Sequence, residues 1–284
     1  MTHHRRLPIF YINLAHREDR RAFLETQLDA LGLACQRIEA VSVAHVPAAL
    51  AAICADPDTP WRINLPTVAC ALSHRSAWQA IVDSGLPAGI VLEDDVLIAP
   101  SMADFLAPDI LDTVGAPLLR LETWGTRVRL ASRRTRLAGG SEAAMLITTQ
   151  AGGAAYVISS DLARRSLDDP RSYAMEADRY LFGRGGRWLL ETPVAQAIPA
   201  PCVQLGNHNR QQLPPVGQSD IAGPGSQQVE QSALARRRRT AANQRYVLHV
   251  ASRLLADPVA LVTPPAPVPF AGDAAPTSRF ASTS

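Results

Sequence analysis

The first apolar positions of the chain form a short run, Ile9 to Leu14, rich in strand formers. From Arg17 to Leu31 the spacing becomes helical. Leu24, Leu28 and Leu31 fall at i, i+4 and i+7 as one buried stripe, and Gly32 supplies a stop. Cys35 to Val41 predicts a second strand. Strand, helix and strand at this spacing make a βαβ unit, and so a parallel sheet. A second helix is predicted from Thr67 to Asp83, with Thr67 as its N-cap and Gly85 just past its end. Ile90-Val91-Leu92 follows as a buried strand and runs directly into Glu93-Asp94-Asp95. Pro117 to Thr123, Met145 to Thr149 and Ala154 to Ser159 read as further strands, the last two separated by Gly152-Gly153. Asp161 to Leu167 begins a helix. A turn at Asp168-Asp169-Pro170 then leads to Glu176 and Asp178.

Beyond Pro193 the pattern changes. Ser226 to Ala256 reads as a helix carrying Arg236 to Arg239, Arg245 and Arg253, with Val247, Val250 and Leu254 as an apolar edge. Asp257 to Ser284 is rich in Pro, Ala and Ser and is expected to be disordered. This divides the chain into a main domain at 1–225, a basic helical segment at 226–256 and a tail at 257–284.

Composition narrows the picture. A hydrophobic fraction of 47% supports a sizeable core, and every one of the 28 basic residues is arginine. No run approaches the roughly 20 apolar residues of a membrane span. The N-terminal apolar run is too short for a signal sequence, which predicts a chain made and kept in the cytosol. The four cysteines (Cys35, Cys54, Cys70 and Cys202) include no C-x-x-C pair, so they read as buried thiols.

Glu93-Asp94-Asp95 is the most informative feature. Three consecutive carboxylates at a strand end repel one another, and a divalent cation is the obvious counter-charge. Side chains alternate along an extended chain, so Glu93 and Asp95 point the same way. Hard carboxylate oxygens suit Mg²⁺ or Mn²⁺. Ligands of open α/β sheets gather beyond the carboxyl ends of strands, where this cluster lies. On the second helix His74 shares a stripe with Ala77, Trp78 and Ile81, the pattern of a core histidine.

Together these segments resemble glycosyltransferase family 25, the lipooligosaccharide galactosyltransferases and their relatives. The resemblance is carried by Ile12-Asn13-Leu14 with Asp19-Arg20-Arg21, then by Cys70-Ala71-Leu72-Ser73-His74 with Trp78, and by Leu92-Glu93-Asp94-Asp95-Val96. Leu119 to Thr123, Gly153 to Ser159 with Ala163, Ala177-Asp178, Pro201 to Gln204 and Ser219 extend it. Met175-Glu176-Ala177 departs from the more usual proline before the late aspartate. The resemblance covers roughly Leu7 to Ile221. It implies a Rossmann-like nucleotide-sugar fold of GT-A type, with a mostly parallel central sheet flanked by helices. It also implies a UDP-sugar donor, UDP-galactose, a divalent metal and an inverting mechanism. On that reading Asp95 is the main metal ligand, with Glu93 as its partner or a ribose contact. Asn13, Arg20, Ser73, His74, Glu93, Asp94 and Gly153 frame the donor. Asp178 and Glu122 are the candidate bases. Glu122 also reads as a surface carboxylate, and Arg20 as a solvated helix residue.

The expected partners are a nucleotide-sugar donor, a glycan or glycolipid acceptor and, through the basic C-terminal helix, the anionic inner face of the cytoplasmic membrane, with no nucleic acid. Two other classes remain. A sugar nucleotidyltransferase would carry a glycine-rich phosphate loop after the first strand, where this chain has Asn13-Leu14-Ala15-His16. A degenerate, non-catalytic binding protein would have little reason to keep Glu93-Asp94-Asp95.

Overall fold

The structure is a computed structural model that describes residues 6–208 and 230–273. Ser219, residues 226–229 of the expected basic segment and residues 274–284 of the expected tail lie outside the described residues. In chain order the strands are β1 (Ile9–Asn13), β2 (Cys35–Glu39), β3 (Ala88–Glu93), β4 (Val96–Ile98), β5 (Leu118–Arg120), β6 (Glu122–Thr123), β7 (Arg127–Val128), β8 (Thr135–Arg136), β9 (Glu142–Met145), β10 (Ala155–Ser159), β11 (Val194–Ile198), β12 (Cys202–Gln204) and β13 (Ala266–Pro267). The helices are α1 (Glu18–Ala30), α2 (Ala48–Ala51), α3 (Leu65–Asp83), α4 (Ile110–Val114), α5 (Ser160–Leu167), α6 (Ala177–Phe182), α7 (Trp188–Glu191), α8 (Leu205–His208), α9 (Ala233–Ala256) and α10 (Pro258–Val262).

Eight strands form one sheet in the order β2-β1-β3-β10-β5-β11-β9-β8. Alternation along the strands sorts its two faces. Ile9, Tyr11, Ile90, Leu92 and Val157 pack with Leu24 and Leu28 of α1. Their neighbours Phe10, Ile12, Val91, Tyr156 and Ile158 pack with Ala77, Trp78 and Ile81 of α3. Each residue step moves a side chain to the opposite layer, so one chain pattern fills both. At Gly89 a Cβ would stand 2.6 Å from the Ile81 side chain, so glycine lets α3 lie against β3.

β1 and β2 are parallel, as the βαβ reading requires, and β3 is parallel to β1 as well. β1 lies between β2 and β3, with Ile12 opposite Glu93. The sheet as a whole is mixed, not mostly parallel. β10 runs antiparallel to both β3 and β5, and β9 antiparallel to β11. β10 reaches its place between β3 and β5 through chain-distant pairing, which no local pattern announces. β11 is buried beside β5, yet it is bounded by Pro193 and Pro199 and interrupted by the polar Gln196, so it did not announce itself in the sequence. The strand expected at Met145 to Thr149 instead ends at Met145. The N-cap of α3 is Asn64, which accepts from Thr67 N at 2.9 Å; Thr67 sits inside the first turn.

The C-terminal region differs from the expected tail. Residues 257–273 pack on the main domain. β13 pairs with β7, and Val268 and Phe270 are buried. Arg129, from the arginine-rich segment, donates to the carbonyls of Ala260, Leu261 and Thr263. Two apolar anchors and satisfied backbone groups order a stretch whose composition alone argued for disorder. α9 docks through Ala235 and Tyr246, and Val250 packs against the core. The expected apolar edge is therefore split. Val250 faces inward and Leu254 is half-buried, while Val247 faces solvent, as do Leu248 and Leu255 outside that edge. Val259, Leu261 and Val262 of α10 are also exposed. No helix among the described residues is long and apolar enough to cross a membrane.

Candidate active site

β1 and β3 end side by side, and the residues just past them line a cleft of about 470 Å³. Asn13, Arg20, Ser73, His74, Glu93, Asp94 and Asp95 all reach it, as does Gln204. β3 delivers Glu93, and a turn at Asp94-Asp95 precedes β4.

The three acids divide. Asp94 turns back into the fold and accepts from Asn13 Nδ2 at 2.7 Å and Arg20 Nη1 at 3.0 Å. Arg20 is buried, not solvated, and its second nitrogen lies 3.5 Å from Asp95 Oδ2. Glu93 and Asp95 turn the other way. One Gln204 amide donates to both, at 2.9 Å to Glu93 Oε2 and 3.3 Å to Asp95 Oδ1. Asp95 is nearly buried, and its carboxyl is raised from its ordinary value by burial first and by the Glu93 charge second. Two carboxylates on one donor, with one of them resisting ionisation, are a donor set suited to a hard divalent cation.

His74 is a buried core residue, as its stripe predicts, and it also reaches the site. Trp78 Nε1 donates to Tyr156 Oη at 2.8 Å. Tyr156 Oη lies 3.0 Å from His74 Nδ1, and His74 Nε2 lies 3.2 Å from Glu93 Oε1. Ser73 plays a different part. Its hydroxyl accepts from Val41 N at 2.8 Å and donates to Ala69 O, so it pins the loop after β2 to α3.

A second acidic group lies around residues 152–154. Gly152 N donates to Asp178 Oδ2 at 2.8 Å, and Ala154 N donates to Glu122 Oε1 at 2.8 Å. Ala154 O accepts from Glu93 N at 2.8 Å. One short stretch thus ties together Asp178, Glu122 and the backbone of Glu93. Gly152 has φ +92°, and a Cβ there would collide with Trp124 and Glu122. Gly153, the glycine expected to matter, would place a Cβ 3.4 Å from Asp178, a far milder contact.

The two base candidates differ in access. Asp178, at the start of α6, is half-buried and opens onto a groove shared with Trp61 and Arg179. Burial raises its carboxyl above the ordinary value. Glu122 is fully buried, which corrects its reading as a surface carboxylate. Burial pushes it up to about 8 despite Arg120, 3.5 Å away. Its Oε2 and the Trp124 Nε1 have no hydrogen-bond partner.

Sequence reasoning did not single out Arg120, Gln196 or Gln204. Arg120 is buried and donates to Ala151 O, Glu122 O and Gln196 Oε1, bracing the 151–154 stretch from below. A polar residue inside an apolar strand pattern, such as Gln196 between Ala195 and Ala197, is the signal that could have found this network.

Comparison with known proteins identifies the family. Residues 6–181 match the model of glycosyltransferase family 25, described as LPS biosynthesis protein. The lacto-N-neotetraose biosynthesis glycosyltransferases LgtB and LgtE of Neisseria gonorrhoeae are 29% and 28% identical to it. Each match covers 68% of this chain and 72% of the relative. The lipooligosaccharide biosynthesis protein lic2B of Haemophilus influenzae is 26% identical over 49% of this chain and 53% of its own length. The matched segment carries Asn13, His74, Glu93, Asp94, Asp95, Glu122 and Asp178, every carboxylate of the two acidic groups included. The chain belongs to glycosyltransferase family 25 and is a transferase of the nucleotide-sugar-using kind.

Proposed function

We propose that this chain is an inverting, metal-dependent hexosyltransferase of GT-A type that moves galactose from UDP-galactose onto a bacterial surface glycan such as lipooligosaccharide. One observation carries the reading. At the paired ends of β1 and β3, Glu93 and Asp95 share the Gln204 amide and face the cleft, while Asp94 is tied off by Asn13 and Arg20. UDP lies in the cleft beside Asn13, Arg20, Ser73 and His74. Mn²⁺ or Mg²⁺ fits the hard oxygens of Asp95 and Glu93. When bound, it supplies Lewis-acid stabilisation of the charge that builds on the departing diphosphate.

The chain's own residues do the rest. Gln204 and the His74–Tyr156–Trp78 series hold the two Glu93 oxygens in fixed directions. Asp178 takes the proton from the acceptor hydroxyl as it attacks the anomeric carbon. It is favoured over Glu122 because it opens onto a groove while Glu122 is sealed in. Glu122 and Arg120 hold the 151–154 stretch that positions Asp178.

The outer face of α9 and α10 rests on an anionic bilayer. Leu248 and Leu255 lie at i and i+7 with Val247 beside them, and Arg236 and Arg237 stand exposed on the same helix. A screen of UDP-sugars, read as metal-dependent UDP release, tests the proposal. Release from UDP-galactose in preference to UDP-glucose or UDP-N-acetylhexosamines is expected. Release with none of them removes it.

A further inference from the structure

Glu93 has a second neighbourhood. Its Oε2 faces Gln204 and Asp95, but its Oε1 faces His74. One turn earlier on the same face of α3 stands Cys70, four residues before His74. The Cys70 Sγ, a His74 ring nitrogen and a Glu93 oxygen all lie within 4.8 Å of one another. All three residues border the cleft, so an ion could enter and a fourth position would stay open to solvent or ligand.

This donor set is chemically unlike the Glu93 and Asp95 oxygens. Thiolate and imidazole select borderline-soft ions such as zinc, whereas carboxylates alone suit Mg²⁺ and Mn²⁺. The geometry agrees. Two nitrogen or oxygen ligands held at about 2.0–2.1 Å in a tetrahedron stand about 3.3 Å apart, and His74 Nε2 and Glu93 Oε1 are 3.2 Å apart. The sulfur lies within 4.8 Å of both atoms, and binding would draw it to the shared centre. Tyr156, at His74 Nδ1, provides the outer hydrogen bond that metal-binding histidines usually have.

We propose that Cys70, His74 and Glu93 form a second metal site, selective for zinc-class ions, which shares Glu93 with the hard-cation site. Binding forms Sγ, Nε2 and Oε1 bonds to the ion and releases the Cys70 thiol proton to solvent. The site itself stands on the three side chains alone. Its consequence for turnover rests on the transferase reading. Zinc would draw Glu93 towards α3 and away from Asp95, so low zinc would inhibit a manganese-supported reaction.

Cobalt(II) titration of the full chain tests the site without any turnover. A thiolate-to-cobalt charge-transfer band at one equivalent, displaced by zinc, is expected. The band should persist in Cys54→Ser and vanish in both Cys70→Ser and Cys70→Ala, with circular dichroism showing that at least one of the two is folded. No thiolate band in the parent chain, or the same band in a folded Cys70 variant, overturns the site. In the activity assay, losing a ligand should shift the zinc inhibition constant by at least the ~10-fold that loss of an outer-shell partner costs. Each variant is compared with its own zinc-free rate. Equal zinc inhibition of parent and Cys70→Ser overturns the coupling to Glu93. Absence of turnover with every UDP-sugar would instead strike the transferase reading and leave the cobalt result standing.

Discussion

Asn13, the last residue of β1, donates its side-chain amide to Asp94 at 2.7 Å, across the gap to the turn after β3. That bond, with the Arg20 guanidinium on the other carboxylate oxygen, separates Asp94 from its two acidic neighbours. The Asp94 carboxyl is raised by burial, offset in part by Arg20 and Asn13. Asp94 therefore belongs to the fold first, while Asp95 is left facing the cleft with Glu93.

The separation has a measurable consequence. Asp94→Ala removes the nearer of the two carboxylates beside buried Arg20, with Asp95 still 3.5 Å away, and should cost about 1–3 kcal/mol of unfolding free energy. Asp95→Asn removes a carboxylate that burial and Glu93 already disfavour, so it should leave stability unchanged or raised. Urea denaturation of the two variants checks this. Similar losses for both would mean that the three acids act as one structural unit.

Asp178 and Glu122 can be told apart kinetically. Asp178→Asn should lower kcat by about 10²–10⁴-fold, the usual worth of a positioned base. KM for the donor should change little, because a base acts in the transition state. Glu122→Gln keeps an oxygen for Ala154 N and should retain most of the rate. A near-parental rate for Asp178→Asn, with a large loss in Glu122→Gln, would exchange the two roles.

Glu122 also sets a pH dependence of stability. Its carboxyl rises from 4.5 to about 8 on folding, so the folded chain holds a proton that the unfolded chain has released. Stability from this group is fully present below the unfolded value of 4.5 and is lost as pH rises through about 8. Asp95 and Asp178, also raised, add to the same slope. Melting temperatures between these two pH values should fall in the parent and fall less in Glu122→Gln. An identical slope in both would show that Glu122 is ionised in the folded protein.

The outer face of α9 and α10 predicts vesicle binding. The full chain should pellet with anionic vesicles at low salt and release at high salt, since each arginine near such a surface is worth about 1 kcal/mol. Leu248→Ser with Leu255→Ser should weaken pelleting, because both side chains are exposed and neither holds the fold. Truncation is a poor test, because Val268 and Phe270 pack on the main domain. Equal pelleting with neutral and anionic vesicles would remove the electrostatic part of the claim.

Local signals made much of this legible in the sequence. The stripe of Leu24 and Leu28 named α1 by its helical period, and the unbroken apolar run Ile90-Val91-Leu92 named β3. The parallel pairing of β1 with β2 followed from the βαβ rule, and β3 joins β1 on its other side, which brings Asn13 to the acids. What failed was non-local. Antiparallel insertion of β10 between β3 and β5 depends on chain-distant partners and leaves no periodic mark. Burial of Glu122 beside Arg120 is invisible in a sequence where both read as charged residues on a short strand. Val268 and Phe270 are two anchors in a proline-rich stretch, too few to outweigh its composition until β7 and Arg129 are seen beside them.

The central claim is that Glu93 and Asp95 hold the cation on which transfer depends, and UDP release from UDP-galactose measures it most directly. With Mn²⁺ the parent chain should release UDP. It should stop in EDTA and resume when Mn²⁺ is restored, and folded Asp95→Asn should release none under either condition. Undiminished UDP release by the parent chain in EDTA, or by Asp95→Asn with Mn²⁺, would contradict the account.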